Sequence, residues 1–184
     1  KALLLDQNVE AGDSDFFSVG VLDVSHDSAL LAWSADRAGA ELSELHFRDL
    51  VSGGELPDVV PGTHYGSAWA ADNRTFFYVK PDETQRPYQL WRHVLGTPAD
   101  DDVLVHEETD ERFFLGVGTS KDDRYILLHL GSKVTDEVWF LRADDPTGAF
   151  TVVSPREQDI EYGVEHHGDR FFIVTNADGA EDFK

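Results

Sequence analysis

The sequence has no cysteine and no methionine. The first absence excludes disulfides and thiolate metal sites. It is compatible with a reducing compartment, and a cytoplasmic location is the expectation. The second means that Lys1 is not a natural start, so the chain reads as an excerpt of a longer one. Positive charge is scarce: 15 Lys and Arg stand against 36 Asp and Glu, a formal net charge of −21. Phosphate binding needs clustered cations, so this balance argues against nucleic acid or anionic lipid as partner. It would favour a cationic ligand, although a solvated acidic surface is the plainer explanation. No apolar run approaches the ~20 residues of a membrane span, and Ala2–Leu5 is too short for the hydrophobic region of a signal peptide. Helical apolar periodicity of useful length is missing too. The nearest stretch, Asp36–Leu45, has Gly39 inside it and reads as a long loop.

What is present is a repeat. Four segments, Ser25–Ser34, Ala71–Lys80, Lys121–Leu130 and His167–Asn176, align without gaps at spacings of 46, 50 and 46 residues. Each opens with a polar turn whose third residue is Asp27, Asn73, Asp123 or Asp169, and each runs into an apolar strand. A second set keeps step with the first: Ser43–Leu50, Tyr88–Leu95 and Asp136–Ala143, with Leu45, Leu90 and Val138 in register. Turns rich in Gly, Pro and Asp follow, then short strands at Glu55–Val60, Val103–His106 and Phe150–Val153. Ahead of each polar turn stands another strand candidate: Phe17–Val24, Tyr65–Ala70, Phe113–Thr119 and Ile160–Glu165.

A repeat of 40–50 residues signals stacked supersecondary units. Here the unit is four antiparallel strands. The first strand contains small residues (Gly20, Gly66, Gly116, Gly118, Gly163), which suits the crowded centre of a radial array. The second, as in Tyr125–Leu128 or Phe171–Val174, is apolar throughout, the mark of burial on both faces. Sheets stacked face to face around an axis meet that demand, so the chain is expected to be all-β, a β-propeller fragment of about three and a half blades. A β-sandwich would give no reason for the period. The expected organisation is a lead-in segment at 1–15 and a partial propeller at 16–184, with blades near 16–61, 62–109 and 110–155 and an incomplete one at 156–184. Ile126 and Phe172 should both lie in doubly covered strands, where Asp in either place would unfold the chain. The flanking blades should expose apolar faces and drive self-association.

Chemistry-bearing patterns are weak. No Ser sits in Gly-x-Ser-x-Gly, and Ser14, in Gly12–Asp13–Ser14–Asp15, precedes no helix signal. His166 and His167 are adjacent, so on a strand they point to opposite faces. They read as loop histidines, not ligands. Asn176–Gly179 resembles a calcium loop only weakly and reads as a turn. Asp100–Asp102 and Glu107–Glu108 read as solvated charge, and Trp91 and Trp139 as blade packing. No catalytic, cofactor-binding or metal-binding residue is assigned, and no cofactor is expected.

Long stretches carry a family resemblance: Asp15–Asp36, Ala68–Thr97, Asp110–Ser132 and His166–Lys184. The most specific part is Arg86–Pro87 followed by Leu90–His93 and Leu95–Thr97, and Leu3–Asp6 fits the approach to the first blade. The chain resembles the propeller half of the prolyl oligopeptidase family, in its oligopeptidase B (protease II) branch. That resemblance implies a seven-bladed propeller joined to an α/β-hydrolase domain with a Ser–Asp–His triad. It also implies a serine peptidase that cuts short peptides after Arg or Lys, with the propeller as a size filter. None of the triad falls in this chain, so the segment itself should be inactive. A stand-alone propeller acting as a protein-interaction platform is the alternative.

Overall fold

The computed structural model describes residues 3–184; Lys1 and Ala2, the start of the expected lead-in segment, lie outside the described residues. A short helix, α1 (Gln7–Ala11), begins where the Asp6 carboxylate accepts the Asn8 amide. Strands then follow in groups. The first sheet is β1 (Ser18–Val24), β2 (Leu30–Asp36), β3 (Ser43–Asp49) and β4 (Glu55–Thr63). The second is β5 (Ser67–Trp69), β6 (Thr75–Pro81), β7 (Pro87–Val94) and β8 (Val103–Glu107). The third is β9 (Phe114–Thr119), β10 (Tyr125–Gly131), β11 (Asp136–Arg142) and β12 (Thr151–Ser154). Only β13 (Tyr162–His167) and β14 (Arg170–Thr175) form the fourth. Each sheet is antiparallel and ordered as the chain runs, giving three blades and half of a fourth in an unclosed propeller. The expected fold class holds.

Alternation of side chains builds the core between sheets. On β6, Phe76 and Tyr78 face the first blade and join Leu45, Phe47 and Val60. Their neighbours Phe77 and Val79 face the third blade and join Ile126, Leu128 and Leu130. One strand thus serves two cores, which is why its sequence lacks the polar alternation of a one-sided strand. Leu31 and Trp33 of β2 face away from the second blade and are covered by Leu5 of the lead-in segment and by Phe17, just ahead of β1.

Three turns share one construction. Ser25, Ala70 and Ser120 each donate a backbone N–H across the turn to Leu30, Thr75 and Tyr125. Asp27, Asp72 and Asp122 hold the turns by accepting local amides or hydroxyls. Ser28, Asn73 and Asp123 take the positive φ. The structural equivalents therefore lie 45 and 50 residues apart, one residue away from the gapless sequence alignment for the first blade. The fourth turn is built differently. His167 pairs with Arg170 across two residues, and Gly168 supplies φ +68°. Asp169 is not the counterpart of the other three acids.

Two expectations need correction. A Cβ at Gly20 would meet the Ser34 hydroxyl at 2.8 Å, and one at Gly66 would meet Val117 backbone at 3.4 Å, but Gly116, Gly118 and Gly163 face open space. Crowding therefore explains only part of the glycine pattern. Phe172 is 54% exposed, together with Ile173 and Val174, because among the described residues no third strand and no further sheet covers β14. It does not occupy a doubly covered strand, whereas Ile126 does.

Candidate functional surface

Strand β5 touches both β1 and β9, and the turns after β1 and β9 meet the end of β5 around one cleft. Asp23, near the end of β1, accepts the Ser67 hydroxyl at 3.1 Å through its carboxylate and the Trp69 indole N–H at 3.2 Å through its backbone oxygen. His26 reaches the Trp69 carbonyl at 3.1 Å through Nε2, and its Nδ1 lies 3.8 Å from Asp123. The Asn73 side chain accepts the Asp27 amide at 3.1 Å. These links tie three blades together around a cleft of about 270 Å³ that Asp23, His26, Trp69, Thr119 and Asp123 help to line. Burial raises the Asp23 carboxyl above its ordinary range; Ser67 and His26 pull it back, and Asp123 pushes it further up. The rim favours positive charge. No Ser or Thr hydroxyl hydrogen-bonds a histidine among the described residues.

Buried charge lies deeper, at the seams. His93 of β7 is fully enclosed between Asp102, 2.7 Å from Nδ1, and Asp58 of the first blade, 3.2 Å from Nε2. Arg86, at the turn before β7, donates to the carbonyls of Phe113 (3.0 Å), Glu108 (3.3 Å) and Asp110 (3.4 Å), fixing the link into the third blade. Its other partner, Asp82 at 3.0 Å, has its carboxyl held at about 2, chiefly by the Thr84 hydroxyl. Arg156 bridges Glu108 and Glu137 and lies over the Phe113 ring at 3.9 Å. Tyr162 closes the next seam, where its hydroxyl accepts the Val138 amide at 2.8 Å and donates to the Ser154 carbonyl.

The residues singled out from the sequence fall as follows. Ser14 is exposed after α1. Both histidines of the pair lie on β13, not in a loop, and point oppositely: His167 is exposed, and His166 is buried with Nδ1 2.8 Å from Asp122. Asn176 holds a turn, accepting the Glu161 amide and donating to the Asp159 carbonyl. The side chains of Asp102 and Glu108 are enclosed rather than solvated, because His93 and Arg156 reach them from elsewhere in the chain. Trp91 and Trp139 pack against the seams, each indole N–H satisfied by Gln89 or Glu137. Reasoning from sequence missed His93, Asp58 and Arg156. The available signal was a polar residue, His93, on the same strand face as Trp91 in an otherwise packed β7.

A family model described as "Prolyl oligopeptidase, N-terminal beta-propeller domain" matches residues 1–184. The chain is 44% identical over 183 residues to dipeptidyl aminopeptidase BI of Pseudoxanthomonas mexicana, covering 99% of this chain and 25% of that protein. It is 36% identical over 184 residues to protease 2 of Moraxella lacunata, covering 99% and 26%. Among solved structures, oligopeptidase B from Leishmania major superposes with a TM-score of 0.92 at 30% identity, covering 98% of this chain and 26% of that one. The chain thus spans about a quarter of the length of these relatives.

Proposed function

The chain belongs to the prolyl oligopeptidase family of serine peptidases, and from that premise we propose that it is the substrate-gating part of an oligopeptidase. In this reading residues 16–184 belong to a propeller, led in by residues 1–15, and chemistry is supplied by an α/β-hydrolase domain of the parent protein. No catalytic, cofactor or metal residue is assigned to the segment. Its substrates are short peptides cut after Arg or Lys, and its setting is the cytoplasm. The observation that carries the reading is the whole-length family match to enzymes in which the same segment is a quarter of the chain.

The electrostatics support basic peptides as substrates. A net charge of −21 and an acidic rim around Asp23 and Asp123 would raise the local concentration of cationic peptide. The test is an assay of the parent protein with Arg-containing peptides of increasing length, at low and high salt. Short peptides should be cleaved and folded proteins spared, and kcat/KM should fall as salt rises. Cleavage by the 184-residue chain alone would overturn the gating role, and a salt-independent kcat/KM would remove the steering.

The 44% identity to a dipeptidyl aminopeptidase favours a second reading, in which the parent releases dipeptides from a free N-terminus. Blocking the substrate's amino group separates the two. Activity lost on blocking supports the dipeptidyl reading, and activity retained supports internal cleavage.

A further inference from the structure

We propose that His93 is an alkaline-sensitive clasp between the first two blades: doubly protonated, it ties β4 to β7 and to the turn ahead of β8, and loss of one proton unties one of those connections. With both carboxylates ionised, the geometry requires both ring protons. Nδ1 faces the Asp102 carboxylate at 2.7 Å and Nε2 faces the Asp58 carboxylate at 3.2 Å. Each carboxylate is already an acceptor for another group, Asp58 for the Gly96 amide and Asp102 for the Tyr78 hydroxyl at 2.8 Å. A neutral ring has one N–H, so its bare nitrogen would confront a carboxylate while the imidazole stays fully buried.

Among the described residues, the two carboxylates accept from no group other than His93, Gly96 and Tyr78. Asp58 comes from β4, Asp102 from the turn before β8 and Tyr78 from β6, while β3 contributes only the Phe47 ring, stacked on the imidazole at 5.5 Å. On β7 itself, Arg92 points to the opposite face and donates to the Pro146 carbonyl. Burial by itself would lower the histidine's pKa; Asp102 and then Asp58 outweigh it and leave it above the ordinary value. A group raised in this way contributes stability that is complete below its unfolded value of ~6.5 and is lost as pH climbs through the folded one. A cleft lined by Pro57, Asp58, Gly96, Thr97 and Pro98 gives water a route to the Asp58 side of the cluster. The seam between the first and second blades should therefore loosen in alkali while the seam between the second and third stays closed.

The experiment uses the full chain. Long-range ¹H–¹⁵N spectra should show both ring nitrogens of His93 protonated at pH 6, with a titration midpoint above that of an ordinary histidine. Hydrogen exchange, corrected for its intrinsic pH dependence, should show protection at Gly96 and along β4 falling at least tenfold as His93 titrates, with β10 unchanged. Asp58→Asn should move that step to lower pH, and His93→Gln should abolish it. A single protonated nitrogen at pH 6, a flat exchange profile or a step that survives in His93→Gln would each overturn the clasp. A simultaneous loss of β10 protection would overturn it too, because that outcome reports global unfolding.

Discussion

The third and fourth blades present the same kind of apolar second strand to different surroundings. In β10, Ile126 and Leu128 are fully enclosed by residues of the second blade. In β14, Phe172, Ile173 and Val174 stand open to solvent, although their sequence is at least as apolar. The hydrophobic pattern states what a strand is suited for, and the neighbouring sheet supplies the burial. Stability in such an array is a sum of interfaces, each shared by two blades.

Substitutions can break or sharpen that contrast. Ile126→Asp should have the largest effect, because it puts an unpaired charge inside a core shared by two blades. The expected loss is about 4 kcal/mol, a fall in melting temperature of roughly 8–16 °C. A thermal scan with an unchanged midpoint would show that the second and third blades do not share that core.

Arg86→Lys should come next. A lysine keeps the charge but cannot span three carbonyls, so about 1–3 kcal/mol should disappear in a urea titration. A neutral result would mean that the link into the third blade holds itself.

Phe172→Asp should be the mildest, within about 0.5 kcal/mol of the parent chain, since the site is already wet. The same change should make the chain more monomeric in light scattering, because the open face of β14 is the surface expected to drive association. Equal destabilisation by Ile126→Asp and Phe172→Asp would erase the distinction between the two blades.

Local patterning made most of this architecture readable in advance. The period, the strand order within each sheet and the double burial of β6 and β10 follow from side-chain alternation and turn residues, which are short-range properties. The seams were not readable in the same way. Asp102 and Glu108 sit in acidic runs that look solvated, and their partners are His93 across a turn and Arg156 forty-eight residues away. His166 meets Asp122 across forty-four residues. Nothing near any of these groups in the chain announces the pairing. The one-residue slip in the first repeat has a similar origin. Asp72–Asn73 and Asp122–Asp123 each offer two turn-forming residues in a row, and only the backbone reveals which one takes the left-handed conformation.

The lead-in segment gives the molecule a polarity. Leu5 of this segment and Phe17, just after it, shelter the outer flank of the first blade, and Arg48 fastens α1 through Glu10. The residues that cover this flank are therefore synthesised before the strand they shelter.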